Sequence, residues 1–156
     1  MSCGPCQGHM PPHTMGTCCP MPTEFEILSP TRALVVYAGD ISDADVETAQ
    51  TRGMDFLRDV RNRGERAVMM IDGSTSNGVS AKQRRKMAEF NDANTSLLAA
   101  ACEAQALVLS STVQRGVLTA GLWIWKPPMT LKPFATRAEA SAWLDTIEQQ
   151  RLARSA

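Results

Sequence analysis

The chain has little histidine, few aromatic side chains and no bias of charge, and each shortage excludes a class of function. Its two histidines, His9 and His13, both precede residue 14. The rest therefore lacks the side chain that most often serves as a general base near neutral pH, and no Ser-His-Asp or Cys-His set can be drawn within it. Sixteen Lys and Arg balance sixteen Asp and Glu. No global field draws such a chain to nucleic acid or to an anionic membrane, so anion binding has to be local and no nucleic-acid partner is expected. No apolar run approaches the ~20 residues that span a bilayer, so no transmembrane segment is expected. The N-terminus also lacks the charged-then-apolar layout of a secretory signal, and a cytoplasmic location is expected. Glycine is too sparse in the loops for a phosphate-binding or dinucleotide fingerprint. A hydrolase or dehydrogenase is not expected, and the chain reads as non-enzymatic.

Residues 1–23 differ in kind from the rest. They hold five prolines, three glycines and four of the five cysteines, with almost no bulky aliphatic side chain. Such a composition cannot bury an apolar face and predicts a flexible appendage. Cys3, Cys6, His9, His13, Cys18 and Cys19 nevertheless supply six soft or borderline ligands, enough for a tetrahedral Zn²⁺ site or a Cu(I) site. Cys3, Cys6, His13 and Cys18 come near zinc-knuckle spacing. The Gly-Pro centre of Cys3–Cys6 has the look of a thioredoxin-type redox pair, but such a site needs a preceding strand and a following helix that lower the thiol's pKa, and the two residues before Cys3 cannot supply them. The alternative is an accidental composition with no ligand.

From residue 24 to about 152 strand and helix signals alternate and fit one domain. Residues 25–29 and 32–38 are rich in β-formers and flank Ser29-Pro30-Thr31, which predicts an antiparallel pair. Ser42 and Asp45 predict a capping box ahead of a helix over 43–63, whose apolar residues run from Val46 to Val60 at helical spacing. Ala67–Ile71 is a continuous apolar run, the pattern of a buried parallel strand, and a polar loop is expected from Asp72. Ser80 and Gln83 predict the cap of a second helix with Met87, Phe90, Leu97, Leu98 and Ala101 facing inward. Gln105–Ser110 reads as the next strand, 112–125 as a third helix stopped by Pro127-Pro128, and Leu131–Ala135 as a strand that Pro133 confines to an edge. Thr136 and Glu139 cap a last helix carrying Ala140, Trp143, Leu144 and Ile147. The order ββαβαβαβα predicts one mixed sheet of about five strands with about four helices.

Between Val68 and Leu144 the motifs Ile71-Asp72-Gly73-Ser74, Met87-Ala88-Glu89-Phe90-Asn91, Arg115-Gly116-Val117-Leu118-Thr119-Ala120, Trp125-Lys126-Pro127-Pro128 and Pro133-Phe134-Ala135-Thr136-Arg137-Ala138-Glu139-Ala140 resemble those of small bacterial STAS-like proteins, the anti-sigma-factor-antagonist-like group related to CRAL-TRIO lipid-transfer domains. The resemblance implies an α/β domain that works in signalling through protein–protein interaction. It also implies a serine, at the helix that follows a strand end, whose phosphorylation stops partner binding; here the corresponding stretch is Asp72–Ser80, where Asp-Gly-Ser stands in place of Asp-Ser-Ser. The lipid-transfer kinship implies an alternative, a carrier of a small apolar ligand.

A hydroxyl-rich stretch that opens onto a helix favours an anion, because free backbone N–H groups and the helix dipole converge there. Ser74, Thr75, Ser76 and Ser80 are thus candidates for phosphorylation or anion binding, with Lys82 and Arg85 as cations that the dipole disfavours unless an anion is near. The plainer reading is that the serines serve turns and caps and that the basic run is a solvated face. The helix over 112–125 is apolar nearly all round, and Leu122, Trp123 and Trp125 are candidates for an interface with a protein partner, a second copy of the chain included. Cys102, between an alanine run and a strand, reads as a small core residue.

Overall fold

A computed structural model describes residues 23–124 and 126–156. Five strands, β1 (Thr23–Ser29), β2 (Arg32–Gly39), β3 (Ala67–Ser76), β4 (Cys102–Val108) and β5 (Thr130–Phe134), form one sheet in sequential order. β1 and β2 make the expected antiparallel hairpin, and β2 to β5 run parallel. Pro133 lies in β5, the edge strand, where its missing N–H leaves no rung of the ladder empty.

Helix α1 (Asp43–Asn62) begins at the Ser42–Asp45 capping box. It ends where Gly64 adopts a φ of +73°. The N–H of Gly64 donates to the Arg61 carbonyl at 2.9 Å and that of Glu65 to the Val60 carbonyl at 3.1 Å, the pair of bonds that closes a helix when its next residue turns left-handed. Met54, Phe56, Leu57 and Val60 of α1 pack with Leu97, Leu98 and Ala101 on one sheet face, against Ala33, Val35, Tyr37, Ala67 and Met69. Helix α5 (Arg137–Ser155) covers the other face over β3, β4 and β5. Its Ala140 and Leu144 meet Leu34, Val68, Met70, Ala104, Ala106 and Val108. The two-residue alternation of β3 thus sends Val68 and Met70 to α5 and Met69 to α1.

Ion pairs hold the far end of α5. Arg32, at the start of β2, donates to Asp145, to Glu148 at 3.1 Å and to the Ser141 hydroxyl at 2.9 Å, while Arg154 pairs with Glu103.

Three differences from the sequence reading have local causes. The expected second helix is broken into α2 (Ala81–Ala93) and α3 (Thr95–Ala101), making five helices with α4 (Thr112–Ile124). Asn94 interrupts it with φ −108° and ψ 14°; its amide donates to the Phe90 carbonyl and the Thr95 hydroxyl to that of Asp92, the side-chain competition with backbone bonding that ends helices. β3 continues past Asp72 to Ser76, so Ser74, Thr75 and Ser76 belong to a strand end rather than a loop. The pairing passes from Val36–Asp72 to Ala38–Thr75, which places an extra residue on β3 and lets the polar stretch stay on the ladder. β4 starts at Cys102 and ends at Val108, earlier than expected at both ends.

Candidate functional site

The carboxyl ends of the parallel strands gather the hydroxyl-rich stretch, the start of α2 and the start of α5. Asp72 takes the next inward position after Val68 and Met70 and is 2% exposed. Burial pushes its carboxyl up, but the Ser74 hydroxyl, the Ser74 N–H at 2.8 Å from Oδ1, and the Arg137 guanidinium outweigh that and hold it below the usual range. Arg137, whose Nε donates to Asp72 Oδ2, stands in the first turn of α5 with half of its side chain in solvent. A buried charge thus has its cation at the surface.

The candidate hydroxyls have different fates. Ser74 backs Asp72, and its carbonyl accepts from the Ser110 hydroxyl at 3.0 Å, tying the ends of β3 and β4 together. The Ser76 hydroxyl donates to the Gly73 carbonyl at 2.8 Å and accepts from the Gly78 N–H. Gly78, at φ +90°, makes the left-handed turn that a side chain would strain. The Ser80 hydroxyl accepts from the Gln83 N–H at 3.1 Å, while the Gln83 side chain accepts from the Ser80 N–H at 2.8 Å, the predicted capping box. Thr75 is exposed, and among the described residues no hydrogen bond holds its hydroxyl.

Of the basic candidates, Lys82 lies 4.0 Å from Asp43, and Arg85 is exposed. Lys86 pairs with Asp43 at 2.7 Å. The structure therefore brings the hydroxyls to one strand end but turns part of the basic run toward the start of α1. Gln83 is the buried residue of α2, donating to the Ile41 carbonyl at 2.8 Å, whereas Met87 and Phe90 are only half-buried.

The other candidates are placed only in part. Leu122 and Trp123 lie on α4, which packs beside β5, but their side chains, Trp125 and the proposed ligands Cys3, Cys6, His9, His13, Cys18 and Cys19 lie outside the described residues. Cys102 is fully buried, and desolvation pushes its thiol up to about 12, as expected of a core cysteine. Among the described residues no cluster of His, Cys, Asp and Glu is arranged to hold a metal ion, and no helix is long and apolar enough to cross a membrane.

Two features escaped the sequence reading. Arg137 sits in a helix's first turn, where the dipole disfavours a cation, and that signal was used for Lys82 and Arg85 but applies equally here. Asp72, a carboxylate ending an apolar strand, was its natural partner. The burial of Gln83 had no comparable signal, since a capping box is usually solvent-exposed.

The class defined by this arrangement is an α/β domain with one sheet and helices on both faces. More particularly, it has the STAS-like, SpoIIAA-like fold. A solved structure of an uncharacterized protein of the DUF3478 family from Shewanella loihica PV-4, described as having a SpoIIAA-like fold, superposes with a TM-score of 0.57 at 15% identity, covering 78% of this chain and 91% of that one. At that identity the likeness is one of fold. No protein-family model matches the chain, and no curated protein matches it.

Proposed function

We propose that this chain is a non-enzymatic, cytoplasmic protein-interaction module that docks a partner on the carboxyl end of its parallel strands and is switched by phosphorylation of Thr75. The observation that carries the reading is the division of labour among the hydroxyls: those of Ser76 and Ser80 are engaged in hydrogen bonds and that of Ser74 acts on the Asp72 carboxylate, while Thr75 is exposed and, among the described residues, no hydrogen bond holds its hydroxyl. A partner kinase would transfer the γ-phosphoryl of a nucleoside triphosphate to the Thr75 hydroxyl oxygen, whose proton passes to the kinase's base as the diphosphate leaves. The added charge of about −1.5 to −2 changes the surface beside Asp40 and Asn77, which are themselves hydrogen-bonded at 2.7 Å. The SpoIIAA-like fold supports a regulatory role without specifying one.

The test compares wild type with Thr75→Val, which keeps the β-branched shape, and Thr75→Asp. A partner identified by crosslinking and remade from purified components should bind wild type and Thr75→Val alike and lose affinity at least tenfold for Thr75→Asp. Equal binding by all three refutes the switch, and loss with Thr75→Val shows that the hydroxyl itself is the contact.

A further inference from the structure

We infer that the groove between α1 and α2 docks a basic, partly apolar segment of a partner protein, seating one Lys or Arg side chain between Glu47 and Glu89. Gln83 is the buried residue of α2, and between α1 and α2 lies an open groove of about 250 Å³. Val46 and Phe90 give it an apolar floor, and Asp43, Glu47 and Glu89 surround that floor with carboxylates against the single cation Lys86.

The structure already contains a stand-in for the occupant. Lys86 lays its ammonium 2.7 Å from Asp43 and 3.8 Å from Glu47, and the hydrogen bond to Asp43 raises the lysine's pKa as it lowers that of Asp43. Asp43 is further approached by Lys82 at 4.0 Å, so its charge is taken from two sides. Glu47, 69% exposed, shares a cation at long range, and Glu89 makes no ion pair among the described residues. Among the described residues Glu47 and Glu89, one on each wall, thus have only Lys86 at long range to share, and an apolar strip runs between them. A Lys or Arg side chain fits that chemistry, since it lays an aliphatic stem on apolar surface while keeping its charged head at the rim. An acidic segment would meet Glu47 and Glu89 beside an Asp43 whose lysines are already engaged, and a wholly apolar one would desolvate these carboxylates without compensation.

This surface is separate from Thr75 and does not depend on the phosphoryl reading. The probes are the peptides acetyl-Ala-Leu-Lys-Leu-Ala-amide and acetyl-Ala-Leu-Glu-Leu-Ala-amide, titrated into the ¹⁵N-labelled full chain. The Lys peptide should shift the amides of Val46, Glu47, Gln50, Lys86 and Glu89 saturably, and the Glu peptide should not. Raising salt from about 0.05 M to about 0.5 M should weaken it, as expected of rim charges. Glu47→Gln with Glu89→Gln should weaken the Lys peptide about threefold or more, the scale of two exposed ion pairs. Lys86→Ala should strengthen it by removing the internal competitor, an effect that mere damage to the helix would not produce. Equal shifts from both peptides, shifts centred elsewhere, or weaker binding by Lys86→Ala in a chain whose spectrum remains dispersed would overturn the proposal.

Discussion

Replacing Arg137 by Gln removes the cation that faces a carboxylate buried at 2% exposure, and the cost should depend on pH in a way that identifies its cause. Breaking a fully buried ion pair costs about 3–5 kcal/mol because one charge is stranded. Half of the Arg137 side chain is in solvent, so screening discounts the figure, and the Ser74 hydrogen bonds to Asp72 survive. About 1–2 kcal/mol is expected. For a domain of this size that is a fall of roughly 3–10 °C in Tm.

The pH dependence follows from the depressed pKa of Asp72. A carboxylate held below its unfolded value of ~3.9 contributes stability that is fully present above that value and is lost as pH falls through the folded pKa. Without Arg137 the folded pKa rises, burial now opposing only the Ser74 bonds, so ionised Asp72 stops contributing or becomes a burden at neutral pH. The gap between wild type and Arg137→Gln should therefore be widest near neutrality and close once both proteins carry a protonated Asp72. Adding Asp72→Asn to Arg137→Gln should restore stability at neutral pH by removing the stranded charge. The assay is urea unfolding followed by tryptophan fluorescence and circular dichroism, near neutral pH and again at a pH below the depressed folded pKa of Asp72 in the wild type. A gap that is the same at both pH values, or a double variant weaker than the single one, would show that Arg137 acts through packing and not through Asp72.

Gln83→Ala should cost about 1 kcal/mol by removing the bonds to Ser80 and to the Ile41 carbonyl, and hydrogen exchange should accelerate in α2 with α1 unchanged. Leu57→Ala, at a fully buried position, should lower stability by about 2–5 kcal/mol in denaturant unfolding, and Phe90→Ala, half-buried, by clearly less. With Cys3, Cys6, Cys18 and Cys19 replaced by Ser, Cys102 should resist thiol reagents until the protein unfolds. Because its folded pKa is raised to about 12, it should contribute stability that is present below the unfolded thiol value and is lost as pH rises above it. Elemental analysis of the reduced full chain should find near-stoichiometric zinc or copper that disappears with the same four substitutions; no metal in either protein would leave the Cys- and His-rich segment without a ligand-binding role.

The element order was legible because burial dictates period. Val46 to Val60 at helical spacing and the unbroken Ala67–Ile71 run each admit one element, and the boxes at Ser42, Ser80 and Thr136 fixed three helix starts. Boundaries failed where side chains compete with backbone. Asn94 and Thr95 break a helix whose apolar pattern continues through Leu97 and Leu98, and a polar composition disguised the ladder from Gly73 to Ser76. The site was legible as a stretch of hydroxyls and not as a division among them. Which hydroxyl is engaged depends on the local path of the backbone, which brings Gly73 and Gly78 to the Ser76 hydroxyl and the Gln83 N–H to that of Ser80, and that path is set by the bulge and the left-handed turn at Gly78.

The sheet order bears on what kind of ligand the strand ends suit. Open parallel sheets usually hold small molecules in the crevice opened where strand order reverses and neighbouring connections leave to opposite faces. Here the parallel strands run β2-β3-β4-β5 without reversal. Right-handed crossovers between sequential neighbours send every connecting helix to the same side, so this topology opens no such crevice among the parallel strands. The polar groups gathered there are instead tied to one another, Asn77 to Asp40 and to the Gly39 carbonyl, Ser110 to Ser74, Gln83 to Ile41. A surface cross-linked in this way is preorganised and loses little entropy when covered, which suits it to meeting another protein. It also means that a charge placed on Thr75 is not absorbed by a yielding loop and has to be met by whatever lies against it.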